Sequence, residues 1–483
     1  MWKPKDKIKY NPNPGKWPSQ EIARESKWFS PIKVGSVSLS TRTWIPAMVP
    51  WRSTDDGIVT DRVLAWYERF AEGQPGCIVV EATGIRDVPS GPLLRIGHDR
   101  YISGLKELSD TVHRASNGKT KLFIQLIDFL SIRRRPDVNK FFSRFLKITE
   151  IHRNAIGKKD WTDDQIRDFL SNCSDGDLDK ILSSRELEDL RMGTRERVTD
   201  MELEHIRSLP EVLPNLFADA ADRAKRSGLD GVELHYAHAY TMASFLSKKN
   251  TRDDGYGGEI ENRVKLPLEV FQAVRDRVGE DYPVGCRFLS DECIDGGSTV
   301  EDAQFFALEF ANVGMDFISL SRGGKFEDAK QPPVGGAIYP YTGKSGYECM
   351  PAYISDKQGP FGRNIEPTSS IKSVINSEGF KTPIILAGGI HSFELAEKLI
   401  NEGHADIVAS ARQSLADPDW FLKASLGKGE DIRLCTYSNY CEGLDQKHKI
   451  VTCKLWDRED LSEPNIQKSD DNKRRLIAPS WEI

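Results

Sequence analysis

The 483-residue sequence predicts an α/β fold: a (β/α)8 TIM barrel with a long insertion after its third strand and a short C-terminal extension. Three observations lead there. Short apolar, β-branched runs recur along the chain, and amphipathic stretches of helical period separate them. Several of these runs end in glycines or in polar side chains, as barrel strands do where they open onto the C-terminal face that carries the chemistry. One such end, within Asp230 to Arg263, gathers His235, His238 and Tyr240 into a single short stretch.

Taken in order, residues 1–27 are polar and Pro-rich without apolar periodicity, and are expected to form an extended arm. The barrel is expected over 28–425 and the extension over 426–483. A helix from Asp61 to Glu72 precedes the second strand, Cys77 to Glu81, which ends in Ala82-Thr83-Gly84. Helix 103–115 precedes the third strand, Lys121 to Leu126, which carries Gln125. The amphipathic helix Leu213 to Ser227 leads into the fourth strand, Gly-Leu-Asp-Gly-Val-Glu-Leu-His, and helix 264–278 into the fifth, Val284 to Phe288, which carries Arg287. Strand six, Asp316 to Leu320, runs into Ser321-Arg322-Gly323-Gly324. Strand seven, Pro383 to Ala387, runs into Gly388-Gly389, and strand eight, Asp406 to Ser410, into Ala411-Arg412. Glycines after the last two strands, with backbone N–H groups at a short helix N-terminus and an arginine, make a phosphate site.

Residues 129–200 fit no βα connection, which usually runs to about 2–6 residues. They contain helical stretches, Asp163 to Leu170 and Asp177 to Met192, and many charges, so an ordered insertion over the active-site face is expected: a lid, a substrate-selecting wall or a subunit contact.

Composition narrows the function classes. With 39% hydrophobic and 29% charged residues the chain is an ordinary globular protein, and a net charge of −6 with dispersed Lys and Arg argues against a nucleic-acid surface. No apolar run approaches the ~20 residues of a membrane span, and the N-terminus lacks a signal-peptide core, so no membrane partner and a cytoplasmic location are expected. Eight scattered cysteines do not suggest a disulfide framework. A closed homo-oligomer is the general expectation for such chains.

His235, His238 and Tyr240 combine two imidazoles able to donate hydrogen bonds with a phenol whose ordinary pKa of about 10 keeps it protonated at neutral pH. That set suits polarising a substrate oxygen and delivering a proton. The same pair of histidines also fits satisfied core residues or part of a metal site.

The run after them, Asn250-Thr251-Arg252-Asp253-Asp254-Gly255-Tyr256-Gly257-Gly258-Glu259-Ile260-Glu261-Asn262-Arg263, together with Val232-Glu233-Leu234-His235 before it, resembles the Old Yellow Enzyme family of FMN-dependent oxidoreductases. The resemblance covers about 28–455 with a gap at the insertion. It implies an opening hairpin and first strand over Trp28 to Gly35 and Thr41 to Met48, with the backbone of Ala47, Met48 and Val49 against the flavin, where the family usually has Pro-Met and then Thr or Cys. It further implies Ala82 beneath the flavin, Gln125 on its pyrimidine edge, Arg287 beside N1 and the C2 carbonyl, and Gly324, Gly388, Gly389, Ala411 and Arg412 around the FMN phosphate. The family prefers Gly at position 411, and a methyl is tolerated there unless the backbone needs φ > 0.

Cys435, Cys441 and Cys453 resemble the iron–sulfur segment of the larger relatives, the trimethylamine dehydrogenase and 2,4-dienoyl-CoA reductase branch, with Ser438 in the second ligand position. With one thiolate missing, no cluster and no bound metal are expected. The large relatives continue into a nucleotide-binding half that this sequence does not show. Implied by the resemblance is hydride transfer from NAD(P)H through FMN to an activated C=C bond of a small molecule, with His235 and His238 on the carbonyl oxygen and Tyr240 as the acid. Oxidation of an amine or other C–H substrate is the alternative, and a flavin-binding scaffold without turnover is a third.

Overall fold

The computed structural model describes residues 12–482 apart from 89–90, 135, 192, 294–295, 324–360, 439 and 446. A small antiparallel hairpin, β1 (Ile32–Val34) and β2 (Val37–Leu39), precedes the first barrel strand, β3 (Thr43–Ile45). β4 (Cys77–Gly84) and β5 (Lys121–Ile127) follow. A second hairpin, β6 (Ile132–Arg134) with β7 (Gly193–Arg195), stands at the root of the insertion. β8 (Gly231–Tyr236), β9 (Val284–Leu289), β10 (Ile318–Ser321), β11 (Ile384–Ala387) and β12 (Ile407–Ala409) complete the set. Strands β3, β4, β5, β8, β9, β10, β11 and β12 pair in parallel in that order, and β12 pairs back onto β3 to close the barrel. The predicted (β/α)8 architecture is the fold of this chain.

Period-two alternation sorts each strand's side chains. Val232, Leu234 and Tyr236 of β8 point outward to the helices, in one core with Leu122, Ile124, Phe271 and Phe310. Inside the barrel Trp44, Val79, Phe123, Phe317, Ile385 and Ile407 form a separate plug, which seals the bottom. Gly285 of β9 is required by that plug: a Cβ there would lie 2.4 Å from the Phe317 carbonyl oxygen.

Helices Asp61–Glu72, Ile102–Ala115, Leu209–Arg226 and Ile260–Val278 stand where helices were expected. The third begins earlier than its predicted start, because Pro210 sits in the first turn, where no N–H is needed. Strand β10 begins two residues past its predicted start because the side chain of Asp316 takes the Val284 N–H (2.8 Å) and pairs with Arg275.

The insertion is ordered around its own small core of Phe141, Phe142, Leu146, Ile166, Leu170, Leu178, Leu182 and Leu190. The stretch expected as one helix over Asp177 to Met192 is two, Asp175–Ile181 and Ser184–Arg191. The break falls at Leu182 and Ser183, where Leu182 adopts extended backbone and the Ser183 N–H and hydroxyl both donate to Glu186 (2.9 and 2.8 Å).

The C-terminal extension lies against the barrel. Arg52 donates to the carbonyls of Val451 (3.0 Å) and Leu476 (2.6 Å), Arg69 to those of Ala478 and Pro479, and the buried Trp456 indole to Leu415 (2.9 Å). No helix among the described residues is long and apolar enough to cross a membrane.

Candidate active site

The inward-facing residues at the C-terminal ends of the strands form a polar layer above the apolar plug. Register places Gln125 beside Glu233, His235 beside Arg287, and Arg287 beside Ser319. Gln125 donates its amide to Glu233 at 2.6 Å, and Arg287 donates to Ser319 Oγ at 2.9 Å. Burial pushes the Glu233 carboxyl above its usual range, opposed by the Arg287 charge and by the hydrogen bond from Gln125. Its second oxygen, Oε2, has no hydrogen-bond partner. Glu233 was not singled out in the sequence, although its position two residues before His235 puts it on the same inward face.

Just past β8 the chain turns through two left-handed residues, His238 (φ 60°) and Ala239 (φ 57°). Non-glycine residues rarely adopt this conformation, and it clusters at functional sites. The turn brings His238 Nε2 to 2.7 Å from Ser321 Oγ at the end of β10, with the His235 and His238 rings 5.4 Å apart. Tyr240 lies 5.5 Å from the His235 ring and edge-on to Phe129 at 5.3 Å. Burial, with Arg287 as a second cause, holds the His235 pKa down to about 3. Its imidazole is therefore neutral at physiological pH, able to donate from one nitrogen.

These groups open into one cavity of about 320 Å³. Ala47, Met48, Val49, Ala82, Gln125, His235, His238, Tyr240, Arg287, Ala411 and Arg412 all line it. Ala411 has φ −89°, so its methyl carries no backbone strain. Arg412 opens the helix Arg412–Ala416, with its guanidinium over the Tyr437 ring at 4.7 Å. Gly388 (φ 133°) and Gly389 (φ 72°) follow β11 next to β12 but are not on the cavity wall. A side chain at Gly388 would meet Asn364 Nδ2 at 2.9 Å. Gly324 lies outside the described residues.

The long motif after the histidines is a brace. Asn250 donates to the carbonyls of Phe245 (2.9 Å) and Tyr256 (2.7 Å). Arg252 donates to Val198 and Ile206 (2.7 and 3.1 Å), which ties the motif to the chain returning from the insertion. Arg263 bonds Leu246, Ser298 and Asp302. Gly257 is needed because a Cβ would lie 2.6 Å from the Arg252 backbone nitrogen.

The cavity has a further wall for which, Cys441 apart, the sequence carried no local signal. Trp51, Leu93 and Phe129 stand on it, as do Cys441, Glu442, Asp445 and Val451 of the C-terminal extension. Ser438, in the position expected for a cluster ligand, is exposed, whereas Cys435 is buried. Among the described residues no group of three or more His, Cys, Asp or Glu is arranged to hold a metal.

Comparison with known proteins places this geometry. Residues 27–131 and 194–430 match the NADH:flavin oxidoreductase / NADH oxidase family, and the unmatched gap falls on the insertion. The chain is 31% identical over 416 residues to an NADH oxidase of Thermoanaerobacter brockii, covering 85% of this chain and 52% of that protein. It is 26% identical over 461 residues to an N,N-dimethylglycine/sarcosine dehydrogenase of Chromohalobacter salexigens, covering 93% and 56%. Its fold is similar to that of a 2-naphthoyl-CoA reductase, with TM-score 0.64 and 20% identity over 92% of this chain and 60% of that one. The chain thus spans about half the length of the curated relatives it matches. On this match the chain belongs to the NADH:flavin oxidoreductase / NADH oxidase family.

Proposed function

We propose that this protein is an FMN-dependent oxidoreductase that takes hydride from NAD(P)H and delivers it to the activated C=C bond of an α,β-unsaturated carbonyl-type substrate. One observation carries the reading: a flavin-type donor set and a carbonyl-activating set share a single cavity. Gln125 and Arg287 would hold the flavin ring. Arg412, on the cavity wall, would meet its phosphate, and the N–H groups of Gly388 and Gly389, off that wall at the end of the neighbouring strand β11, are the further donors proposed for it, their positive φ values suiting an anion-binding turn. Bound there, FMN would supply the two-electron hydride chemistry.

The chain's own residues do the rest. His235, neutral because it is buried, presents an N–H donor to the substrate oxygen, and His238 does so from Nδ1 when its Nε2 accepts the Ser321 hydroxyl. Drawing electron density toward that oxygen makes the β-carbon an acceptor for hydride. Tyr240 donates the proton to the α-carbon, and Phe129 against its ring keeps the phenol on the cavity wall. Arg287, on the cavity wall, would supply fixed positive charge to a flavin ring bound there.

A second reading is favoured by one observation, the carboxylates of Glu442 and Asp445 on the same wall. They suit an amine, and a matched relative is named an N,N-dimethylglycine/sarcosine dehydrogenase. Anaerobic incubation with NAD(P)H and a panel of enones, beside a panel of amines without NAD(P)H, separates the readings. Enone turnover supports the first. Flavin bleaching by amines alone supports the second.

A further inference from the structure

Behind the wall that carries Tyr240, the segments leaving β4 and β5 are locked together by one ion pair. The ladder between the two strands runs one bond past β4, from the Ile85 N–H to the Ile127 carbonyl at 3.0 Å, and the residues that follow are Arg86 and Asp128. Arg86 donates from Nε to Asp128 Oδ1 at 2.6 Å and from Nη2 to Oδ2 at 2.9 Å. The same Nη2 donates to the Phe129 carbonyl at 3.1 Å. A guanidinium that grips both oxygens of a carboxylate and the next backbone carbonyl leaves that dipeptide little freedom. Asp128 is 1% exposed, and a carboxylate so buried depends on its partner.

Two contacts carry this fixation to Tyr240. The buried Phe129 ring lies against Gly84, where a Cβ would stand 3.7 Å from Phe129 Cε2, and meets the Tyr240 ring edge-on, with centroids 5.3 Å apart and planes at 90°. Aromatic pairs prefer that arrangement. The Thr241 hydroxyl donates to the Asp128 carbonyl at 3.1 Å, which ties the backbone next to Tyr240 to the same dipeptide. Phe129 and Tyr240 line the substrate cavity, whereas Arg86 and Asp128 are not among the described residues of its wall. An effect of the ion pair on the chemistry therefore passes through residues that touch it.

We infer that the Arg86–Asp128 pair positions the general acid: through Phe129 and Thr241 it holds the Tyr240 phenol where the substrate carbon is to be protonated. The inference rests on the reading of Tyr240 as proton donor, and it adds two positioning residues outside the cavity to that reaction. A general acid works only within hydrogen-bond reach of its target, and a displacement of about 1 Å can cost about a hundredfold. Reduction of the flavin by NAD(P)H has no use for the phenol proton, so the pair should govern one half-reaction and spare the other.

A double-mutant cycle read by stopped flow on the flavin-loaded protein tests this, with the enone of the panel that the parent reduces fastest. Arg86→Gln and Asp128→Asn are made together, so that no unpaired buried charge is left behind. In the parent background the neutral pair should slow enone reduction by about tenfold to a hundredfold, and in the Tyr240→Phe background by less than about twofold, since a residue that acts through another loses its effect when that other is gone. Arg86→Lys, which keeps the charge without the fork, should lose less than the neutral pair. Phe129→Leu, which leaves the ion pair intact, should show the same dependence on Tyr240 and serves if the neutral pair does not fold. Enone reduction undiminished in the parent background, an equal loss in both backgrounds, or an equal loss in flavin reduction by NAD(P)H overturns the inference. If Tyr240→Phe itself reduces the enone at the parent rate, or the parent reduces none of the panel, the proton-donor reading fails and the positioning role falls with it.

Discussion

Replacing Arg287 with Ala should lower the two-electron midpoint potential of the bound flavin. The guanidinium stands at the C-terminal end of β9, in register with His235 and bonded to Ser319. Placed beside a bound flavin ring, as proposed, it would favour the anionic reduced form, so its loss would penalise reduction. For a unit charge about 4–6 Å away at an effective dielectric of about 20, Coulomb's law gives about 3–4 kcal/mol. At about 1.4 kcal/mol per 30 mV for a two-electron couple, that is a fall of roughly 60–90 mV. Solvent entering the vacated space will screen part of it, which makes this an upper range. Equilibrium reduction in the presence of a reference dye measures the change directly. Arg287→Lys, which keeps the charge but loses the fork, should recover more than half of the shift. A potential unchanged in Arg287→Ala, with flavin still bound, would refute the placement of Arg287 beside the ring.

Arg412→Ala should weaken flavin retention by the roughly tenfold to hundredfold that loss of charge-assisted bonds to phosphate implies, read by fluorescence of released flavin. The released species should be FMN, and FAD would contradict the assignment. His235 should leave a mark on acid stability. Its pKa is about 3 in the folded chain and about 6.5 when unfolded, so the unfolded state binds more protons between those values and stability falls as pH drops through that window. His235→Asn should therefore lose less melting temperature than the parent between pH 7 and pH 5, and equal losses would count against a buried neutral imidazole.

The barrel was legible because buried parallel strands are written as continuous apolar runs, and the polar residue ending each run marks the mouth. The strand end also exposed His235, whereas Gln125 and Arg287 were singled out by the family resemblance, and the three share the cavity. Glu233 lay in plain view in the same strand but read as part of a motif, and only the neighbouring strands show it bonded to Gln125. The helix break at Leu182 escaped because two amphipathic segments in sequence share one pattern, while the capping of the second by Glu186 is a local side-chain choice. Asp445, Glu442 and Trp51 were beyond reach. The cavity wall joins residues some four hundred positions apart, as in the Trp51 to Asp445 hydrogen bond, and no periodicity encodes such a pairing. The Asn250 to Arg263 motif was the most specific in the sequence, yet its described contacts are structural.

The central claim is that His235, His238 and Tyr240 form a site that polarises a carbonyl and protonates the carbon beside it. Stopped-flow measurement of the two half-reactions in Tyr240→Phe tests it most directly. Reduction of the flavin by NAD(P)H does not need the phenol proton, whereas reduction of an enone does. The variant should accept hydride from NAD(P)H at close to the parent rate and pass it to an enone about 10²- to 10⁴-fold more slowly, the usual contribution of a general acid. Enone reduction at the parent rate in Tyr240→Phe would contradict the account, and the phenol would then be part of the cavity wall without a role in proton transfer.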